Sequence, residues 1–164
     1  MKIQLQTKHS GLVEVDEEAV FTFPRGVPGF ENCQKFALFL VEEESSRPRG
    51  DAPRVFWLQS LDDPEVVFNV VDASEAGIAY QLMLEEDEMR TLEIDENTGE
   101  DTIGTLLVLS RKAMVENIRL PLFALSGGKI KPNLQGPIFV NMQKRLAFQK
   151  ALLRMEITIN ILGR

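Results

Sequence analysis

The residue types that carry most enzyme chemistry are scarce in this chain of 164 residues. It contains one histidine, His9, and one cysteine, Cys33, so neither a soft-metal ligand set nor an intramolecular disulfide is expected. His9 stands in a predicted turn, where a solvated ring is the ordinary outcome. No motif beside Cys33 marks it as a nucleophile, and we expect a buried or half-buried thiol. The sequence therefore predicts no metal and no cofactor.

Asp62 and Asp63 are the strongest candidates for acid–base chemistry. Paired carboxylates can cleave a glycosidic bond when they lie roughly 5 Å or more apart across a cleft. Neighbours in a turn point apart into water, so turn formation or contact with a basic partner is the expected role, with a hydrolase as a remote alternative. The segment 126–129, SGGK, superficially resembles a phosphate loop. It lacks the first glycine and the following helix, and we interpret it as a hairpin turn.

The two aspartates are positioned by the stretch 55–73, which contains the only tryptophan, Trp57. Two runs of branched and aromatic residues, 55–60 and 66–71, predict strands, and the acidic segment 61–65 with its proline predicts the turn between them. Apolar residues occupy both faces: Phe56 and Leu58 on one, Val55 and Trp57 on the other. Both faces are therefore expected to be covered, as in a central strand.

The rest of the chain predicts an all-β fold in one domain, 1–164. About ten short strands at near-regular spacing, with one or two short helices, indicate a sandwich or a small antiparallel barrel. A helix is predicted at 85–92, where acidic residues fill the first turn, and another at 111–117. The further predicted strands are 1–15 as a hairpin with its turn at 9–11, then 20–23, 36–41, 78–84, 103–110, 118–125, 130–134, 137–141 and 155–162.

Three other segments carry specific expectations. Pro28-Gly29 suits a type II turn, after which Phe30 can fold back as a plug. The polar stretch 42–54 is predicted to be a mobile loop, because it contains no apolar residue larger than alanine. Helical spacings within 142–154, such as Leu146, Gln149 and Leu153, predict a weak amphipathic helix.

The net charge of −7 is unevenly distributed. Residues 1–110 carry 8 Lys and Arg against 23 Asp and Glu, whereas residues 111–164 carry 10 against 2. An acidic body favours a basic partner, and the basic last third is interpreted as its complement within the fold. The single cysteine, the polar N-terminus and the lack of any apolar run near ~18 residues predict a soluble cytoplasmic protein with no membrane contact.

Three segments together carry a resemblance to a known family. Residues 26–31, GVPGFE, resemble the G-x-P-G-F-E signature of FliW, the bacterial flagellar assembly factor. Residues 56–64, FWLQSLDDP, with Val67-Phe68 are similar to its W-L-Q-S-x-D-D-P…F block. Residues 133–138, NLQGPI, with Asn141 and Gln149 resemble its N-L-x-x-P-I…N…Q segment. Their order and spacing agree over about residues 3–150.

This resemblance implies a small antiparallel β-barrel-like protein without enzymatic activity. It implies binding of flagellin in the cytoplasm and, in competition with flagellin, of CsrA, the RNA-binding repressor of flagellin mRNA translation. FliW freed by flagellin export would then sequester CsrA by binding it at a position away from its RNA groove. The resemblance implies no direct contact between FliW and nucleic acid. We expect a monomer. The chain departs from the pattern in its polar 42–54 loop, its extra Gly-Gly hairpin within 118–132 and its tail past about 154, which leaves open whether it binds CsrA, flagellin or both.

Most signature residues are of types that build a fold. Gly26, Pro28, Gly29 and Pro64 suit turns, while Trp57, Leu58 and Phe68 suit a core. The candidates for partner contact are the polar residues beside them, and the two asparagines would instead satisfy backbone groups if buried. These candidates are Glu31, Gln59, Asp62, Asp63, Asn133 and Asn141. The alternative from another class is a small barrel that binds single-stranded nucleic acid through 111–164, with Phe139 and Phe148 as stacking platforms.

Overall fold

A computed structural model describes residues 1–40, 54–80, 84–110, 131–152 and 159–161. These residues form mostly strands, with one α-helix and two single-turn 3-10 helices, Glu17–Ala19 and Glu100–Thr102. The elements are β1 (Lys2–Thr7), β2 (Gly11–Asp16), β3 (Val20–Thr22), β4 (Lys35–Leu40), β5 (Val55–Ser60), β6 (Val67–Asp72), β7 (Ile78–Tyr80), α1 (Glu86–Thr91), β8 (Ile103–Ser110), β9 (Lys131–Pro132), β10 (Ile138–Asn141), β11 (Leu146–Gln149) and β12 (Ile159–Ile161).

Seven of the strands close into a barrel, in the order β3, β4, β5, β6, β8, β10 and β11. Closure is made by β10, which pairs with β8 on one side and with β11 on the other. The last contact, between β11 and β3, is parallel and involves only Leu146 and Thr22, whereas the other barrel pairs are antiparallel. The predicted all-β, barrel-like fold is confirmed.

The β5–β6 hairpin lies within this barrel with Leu58 opposite Phe68. Leu58 and Val70 point into the main core, whereas Val71 belongs to a second cluster on the outer face. Side chains alternate across a strand, so this division shows that both faces of the hairpin are covered. The prediction of a central hairpin at this position is confirmed.

Outer covers account for the burial of both barrel faces. Leu5 and Val15 of the β1–β2 hairpin pack on Ala37 of β4. Leu92, which follows α1, packs on Phe139 of β10. Ile78 of β7 packs over the outer side of β6 and β8. Each fully buried side chain of this size contributes roughly 1.5–3 kcal/mol, so these covers are integral to the stability of the barrel.

The predicted helix at 142–154 is wrong in the part that the structure describes. Residues 146–149 form the barrel strand β11, with Ala147 buried inside and Phe148 packed outside beneath α1. Because both faces are covered, no polar alternation reveals the strand in the sequence. Pairing with β10 overrides the weak local helical spacing.

The other local predictions divide into confirmed and undescribed segments. The helix at 85–92 is confirmed as α1, and 103–110 is confirmed as β8. The helix at 111–117, the strand at 118–125, the SGGK turn at 126–129 and nearly all of the loop at 42–54 lie outside the described residues. The last predicted strand is described only as β12, paired with β7. No helix in the described ranges is long and apolar enough to cross a membrane.

Candidate functional site

Three connections meet at one end of the barrel: the β1–β2 turn at 8–10, the β3–β4 connection at 24–34 and the β5–β6 turn at 61–65. We call this surface the loop end. It contains two of the three signature segments. The Lys8 Nζ atom lies 3.8 Å from a carboxylate oxygen of Glu65, and both side chains are exposed. Such an exposed pair adds little stability, so other contacts must hold the loop end together.

The β3–β4 connection is built around two glycines with left-handed backbone. Gly29 has φ +87°, and the Phe30 N–H donates to the Val27 carbonyl at 2.7 Å, which confirms the predicted type II turn. Gly26 has φ +70°, and a Cβ atom there would lie 2.6 Å from the Glu31 carbonyl oxygen. Both glycines are therefore required by geometry, which supports the interpretation of this signature as fold-building.

Phe30 contacts the barrel but is not a buried plug. Its ring meets the Phe68 ring edge-on, with centroids 5.5 Å apart, and Phe68 in turn lies 6.1 Å from Phe36. Phe36 is fully buried, whereas Phe30 remains 43% exposed. The sequence predicts that Phe30 folds back on the barrel, and it does, but its ring stays partly exposed instead of being buried as a plug.

Asp62 and Asp63 serve different local roles. One carboxylate oxygen of Asp62 accepts from the Gln34 and Lys35 N–H groups, at 2.8 and 3.0 Å, and so ties the β5–β6 turn to the start of β4. Asp63 accepts from the Glu65 N–H within its own turn. Both side chains are exposed. The two neighbours thus shape the surface, with their charge left at the solvent.

Gln59 is buried at 1% exposure and connects two parts of the loop end. Its side-chain oxygen accepts from the Lys8 N–H at 3.2 Å. Its amide nitrogen donates to the carbonyls of Pro64, at 3.0 Å, and Val66, at 3.2 Å. Gln59 faces outward from the barrel, and the β1–β2 turn lies over it. The burial of Gln59 could not be predicted from the sequence, because it depends on this separate hairpin.

The two asparagines lie in a different part of the hydrogen-bond network. Asn141 is 2% exposed; its amide donates to the Leu92 carbonyl at 2.8 Å, and its oxygen accepts from the Gln143 and Lys144 N–H groups. Asn133 is half-buried and accepts from the Gln135 N–H. Both satisfy backbone groups, the outcome expected for buried asparagines.

Glu31 completes the set of six candidate residues. It is exposed, and its carboxylate accepts from the Gly29 N–H at 3.1 Å. Glu31, Asp62 and Asp63 all lie in the connections of the loop end as exposed carboxylates. Gln59 lies beneath them as a buried support, and the asparagines belong to the β9–β10 and β10–β11 connections.

A small cavity of about 10 Å³ lies beside Trp57 on the outer face of β5. The His9 ring covers part of it, with its centroid 5.0 Å from that of Trp57. This volume suits about one water molecule rather than a substrate. The remaining lining residues are Thr7, Ser10, Phe39 and Gln59.

The helix α1 is joined to the loop end through charge. The Arg25 guanidinium donates to the Asp87 carboxylate at 3.0 Å, and this hydrogen bond lowers the pKa of Asp87 below its usual value. Behind α1, the buried Glu88 carboxylate accepts from Lys150 at 2.7 Å. The helix is thus fixed to the barrel from two sides. Its solvent face continues into the exposed acidic residues of 93–101.

The described residues offer no assembled metal site. They contain no group of three or more His, Cys, Asp or Glu side chains that could hold a metal ion. Cys33 is buried and unpaired, as predicted.

Phe139 is 3% exposed and cannot stack on a nucleic-acid base, which contradicts its proposed role in the nucleic-acid alternative. Phe148 is half-buried and stacks with Arg25 at 5.1 Å.

Comparison with known proteins agrees with the signature segments. The family model described as "FliW protein" matches residues 4–161. The chain belongs to the FliW family. A flagellar assembly factor FliW from Chromobacterium violaceum is 30% identical over 158 residues, covering 96% of this chain and 99% of that protein. One from Azoarcus sp. strain BH72 is 29% identical over 157 residues, covering 96% of each.

A solved structure supports the same assignment. The crystal structure of a flagellar assembly factor FliW superposes with a TM-score of 0.69 at 25% identity, covering 99% of this chain and 96% of that one. The FliW signatures can therefore be assigned physical roles in this chain. Their glycines, Gln59 and Asn141 build the fold, whereas Glu31, Asp62 and Asp63 remain at the surface.

Proposed function

We propose that this chain is a flagellar assembly factor that acts by binding proteins, without catalysis. Its partners are flagellin and, in competition with flagellin, the translational regulator CsrA, so that its binding of CsrA relieves repression of flagellin mRNA translation. The observation that carries the proposal is the end-to-end match to the FliW family, including relatives named flagellar assembly factors over 96% of the chain.

The loop end is the surface that best suits such binding. It joins separate loops through the buried amide of Gln59, so its shape is largely set before a partner arrives. Preorganised surfaces lose less conformational entropy on binding. Glu31, Asp62 and Asp63 present charge there, which favours a basic partner segment.

Competition is tested with purified flagellin and CsrA from the same bacterium by titration calorimetry. We expect each protein to bind the chain, and saturation with one to reduce binding of the other.

Asp63→Lys reverses a surface charge, whereas Asp63→Asn keeps an acceptor for the Glu65 N–H and serves as the matched control. A clear loss of affinity for Asp63→Lys is expected. Unchanged folding with unchanged binding would reduce this turn to geometry alone, and absence of binding to both proteins would refute the proposed function.

Release of RNA from CsrA follows an electrostatic route in this proposal. Exposed acidic residues along α1 and the segment after it would lower the potential that attracts phosphate when this face lies beside CsrA. These residues are Glu85, Glu86, Asp87, Glu93, Asp95, Glu96, Glu100 and Asp101. Asp87 and Asp95 have structural hydrogen bonds and Glu85 belongs to the capping box of α1, so the other positions are better suited to charge reversal.

The route is tested by changing Glu93, Glu96 and Glu100 to lysine together. RNA release from CsrA should then weaken, measured by fluorescence anisotropy of a labelled RNA. Reversal of Glu14, Glu17 and Glu18 is the control, because it makes the same change in net charge on exposed residues of the β1–β2 side. Equal RNA release by the two triple variants and the parent chain would contradict this electrostatic mechanism.

A further inference from the structure

Phe30 is a large apolar side chain displayed at the tip of the loop end. It is 43% exposed, although its ring meets the Phe68 ring edge-on. Its neighbours in the same connection, Val27 and Cys33, are buried at 4% and 5% and belong to the main core. The connection is therefore anchored in the barrel on both sides of an exposed ring.

The backbone around Phe30 is held by hydrogen bonds rather than left loose. The Phe30 N–H donates to the Val27 carbonyl, and the Phe30 carbonyl accepts from the Cys33 N–H at 2.9 Å. The Glu31 carboxylate holds the Gly29 N–H. At Gly26, the chain passes so close to the backbone of Glu31 that a side chain could not fit. The backbone conformation that presents Phe30 is thus held by contacts within the connection.

The loop end carries more acidic than basic side chains. Within the loop end, the basic Lys8 and Arg25 are already paired with Glu65 and Asp87. Glu31, Asp62 and Asp63 accept only backbone N–H bonds and form no salt bridge in the described part of the chain. A partner that approaches Phe30 therefore meets an apolar ring on a surface that also carries three exposed carboxylates, none of which forms a salt bridge among the described residues.

We propose that Phe30 is the apolar anchor of a docking surface, and that its occupant is a partner segment with one large apolar side chain flanked by Lys or Arg. The apolar side chain packs on the exposed part of the Phe30 ring, and the cations face the three carboxylates. Binding interfaces are typically organised around an aromatic or aliphatic anchor with a polar rim. This inference deepens the proposed function and relies on it for the identity of the biological partner, but not for the chemistry of the surface.

The surface is probed with three synthetic peptides of equal length, and with flagellin and CsrA. One peptide carries a leucine flanked by lysines, the second a leucine flanked by glutamates, and the third lysines without the leucine. Binding to the intact chain is followed by amide NMR shifts, which should concentrate at residues 26–34 for the first peptide only. This measurement on the unaltered chain does not depend on how any variant folds.

Variants then assign the contribution of the ring and of the charges. Phe30→Ala should weaken binding of the first peptide and of the biological partner at least about tenfold, and Phe30→Leu less, since it retains an apolar contact with Phe68. Glu31→Gln with Asp63→Asn retains both backbone acceptors; it should weaken binding about threefold or more, with a slower on-rate and a smaller salt dependence. Met142→Ala is the control, because Met142 is 50% exposed in the β10–β11 turn outside the loop end.

The outcomes separate the two proposals. Flagellin or CsrA binding with the same affinity for Phe30→Ala, Met142→Ala and the parent chain would overturn the docking surface and leave the proposed function intact. Binding of the first peptide through Phe30, without binding of either protein, would support the surface and refute the proposed function. Equal shifts with all three peptides, or none with any, would overturn the docking surface.

Discussion

Two turns of the barrel, β5–β6 and β10–β11, are closed by the same arrangement of polar atoms. At the end of β5, the Ser60 hydroxyl oxygen accepts from the N–H groups two and three residues later, both at 3.0 Å. At the end of β10, the Asn141 oxygen accepts from the N–H groups two and three residues later, at 3.1 and 3.0 Å. Both side chains are buried.

The turns differ in the charge of the residues after the closing side chain. The exposed tip after Ser60 is acidic, with Asp62, Asp63 and Glu65, whereas the tip after Asn141 is basic, with Lys144 and Arg145. The buried strand end closes each turn in the same way, so the difference in surface charge comes from the tip residues. The comparison separates signature residues that specify the fold from neighbours that are available for binding.

The largest expected effect is at Asn141. Asn141→Ala leaves the Leu92 carbonyl without its donor in a buried position and opens the β10–β11 turn. We expect the free energy of unfolding to fall by about 3 kcal/mol, because unsatisfied buried polar groups cost about 1–3 kcal/mol each. Urea unfolding measures this, with Met142→Ala as the exposed neighbour whose effect should be small. A loss below about 1 kcal/mol would show that this amide is not a structural support.

Ser60→Ala should have a smaller effect, and so sharpens the comparison. It removes the same two turn bonds but no bond to another element. We expect a loss of about 1–2 kcal/mol in the same urea experiment, since a typical intramolecular hydrogen bond contributes about 0.5–1.5 kcal/mol. The difference between the two variants estimates the contribution of the Asn141–Leu92 bond. Equal losses would mean that turn closure alone accounts for both.

The smallest effect is expected at the Arg25–Asp87 pair, an exposed counterpart of the buried link between Asn141 and α1. Asp87 has a pKa lowered in the folded chain from an ordinary value of 3.8, chiefly by the hydrogen bond from Arg25. Its contribution to stability is therefore fully present above about pH 3.8 and lost as the pH falls through the lower, folded pKa. The small difference in Tm between the parent chain and Asp87→Asn should shrink in that acidic range.

Salt provides the control for this pH effect. An exposed pair is screened at about 1 M salt, where the Debye length is roughly 3 Å. The Tm difference for Asp87→Asn should therefore also decrease at neutral pH in high salt. A difference that grew on acidification would contradict the assigned direction of the pKa shift.

The sequence predicted those parts of the fold that are determined locally. The Pro28-Gly29 turn follows from the backbone preferences of the two residues, and the β5–β6 hairpin follows from two strand-forming runs around an acidic turn. The strand β11 was missed because it is specified by non-local pairing. Its outer residues, such as Phe148, are covered by α1, so its pattern lacks the polar alternation of a half-exposed strand.

In the candidate site too, local features could be predicted and features that depend on non-local contacts could not. The polarity of Glu31, Asp62 and Asp63 and their positions in turns were sufficient to predict exposed side chains available for partner contact. The burial of Gln59 could not be predicted, because it depends on a separate hairpin lying over the outer face of β5. The exposure of Phe30 was equally hidden, since an aromatic residue after a tight turn is compatible with either a plug or a display.

The buried position of Cys33 gives the loop end its own kinetic reporter. It is the chain's single thiol, and it is 5% exposed in the same connection that carries Phe30. A thiol reagent can reach it only when this connection opens, so the rate of alkylation under native conditions measures the population of the open state. A partner that settles on the loop end should slow that reaction, which makes occupancy of the surface measurable in the unmodified protein.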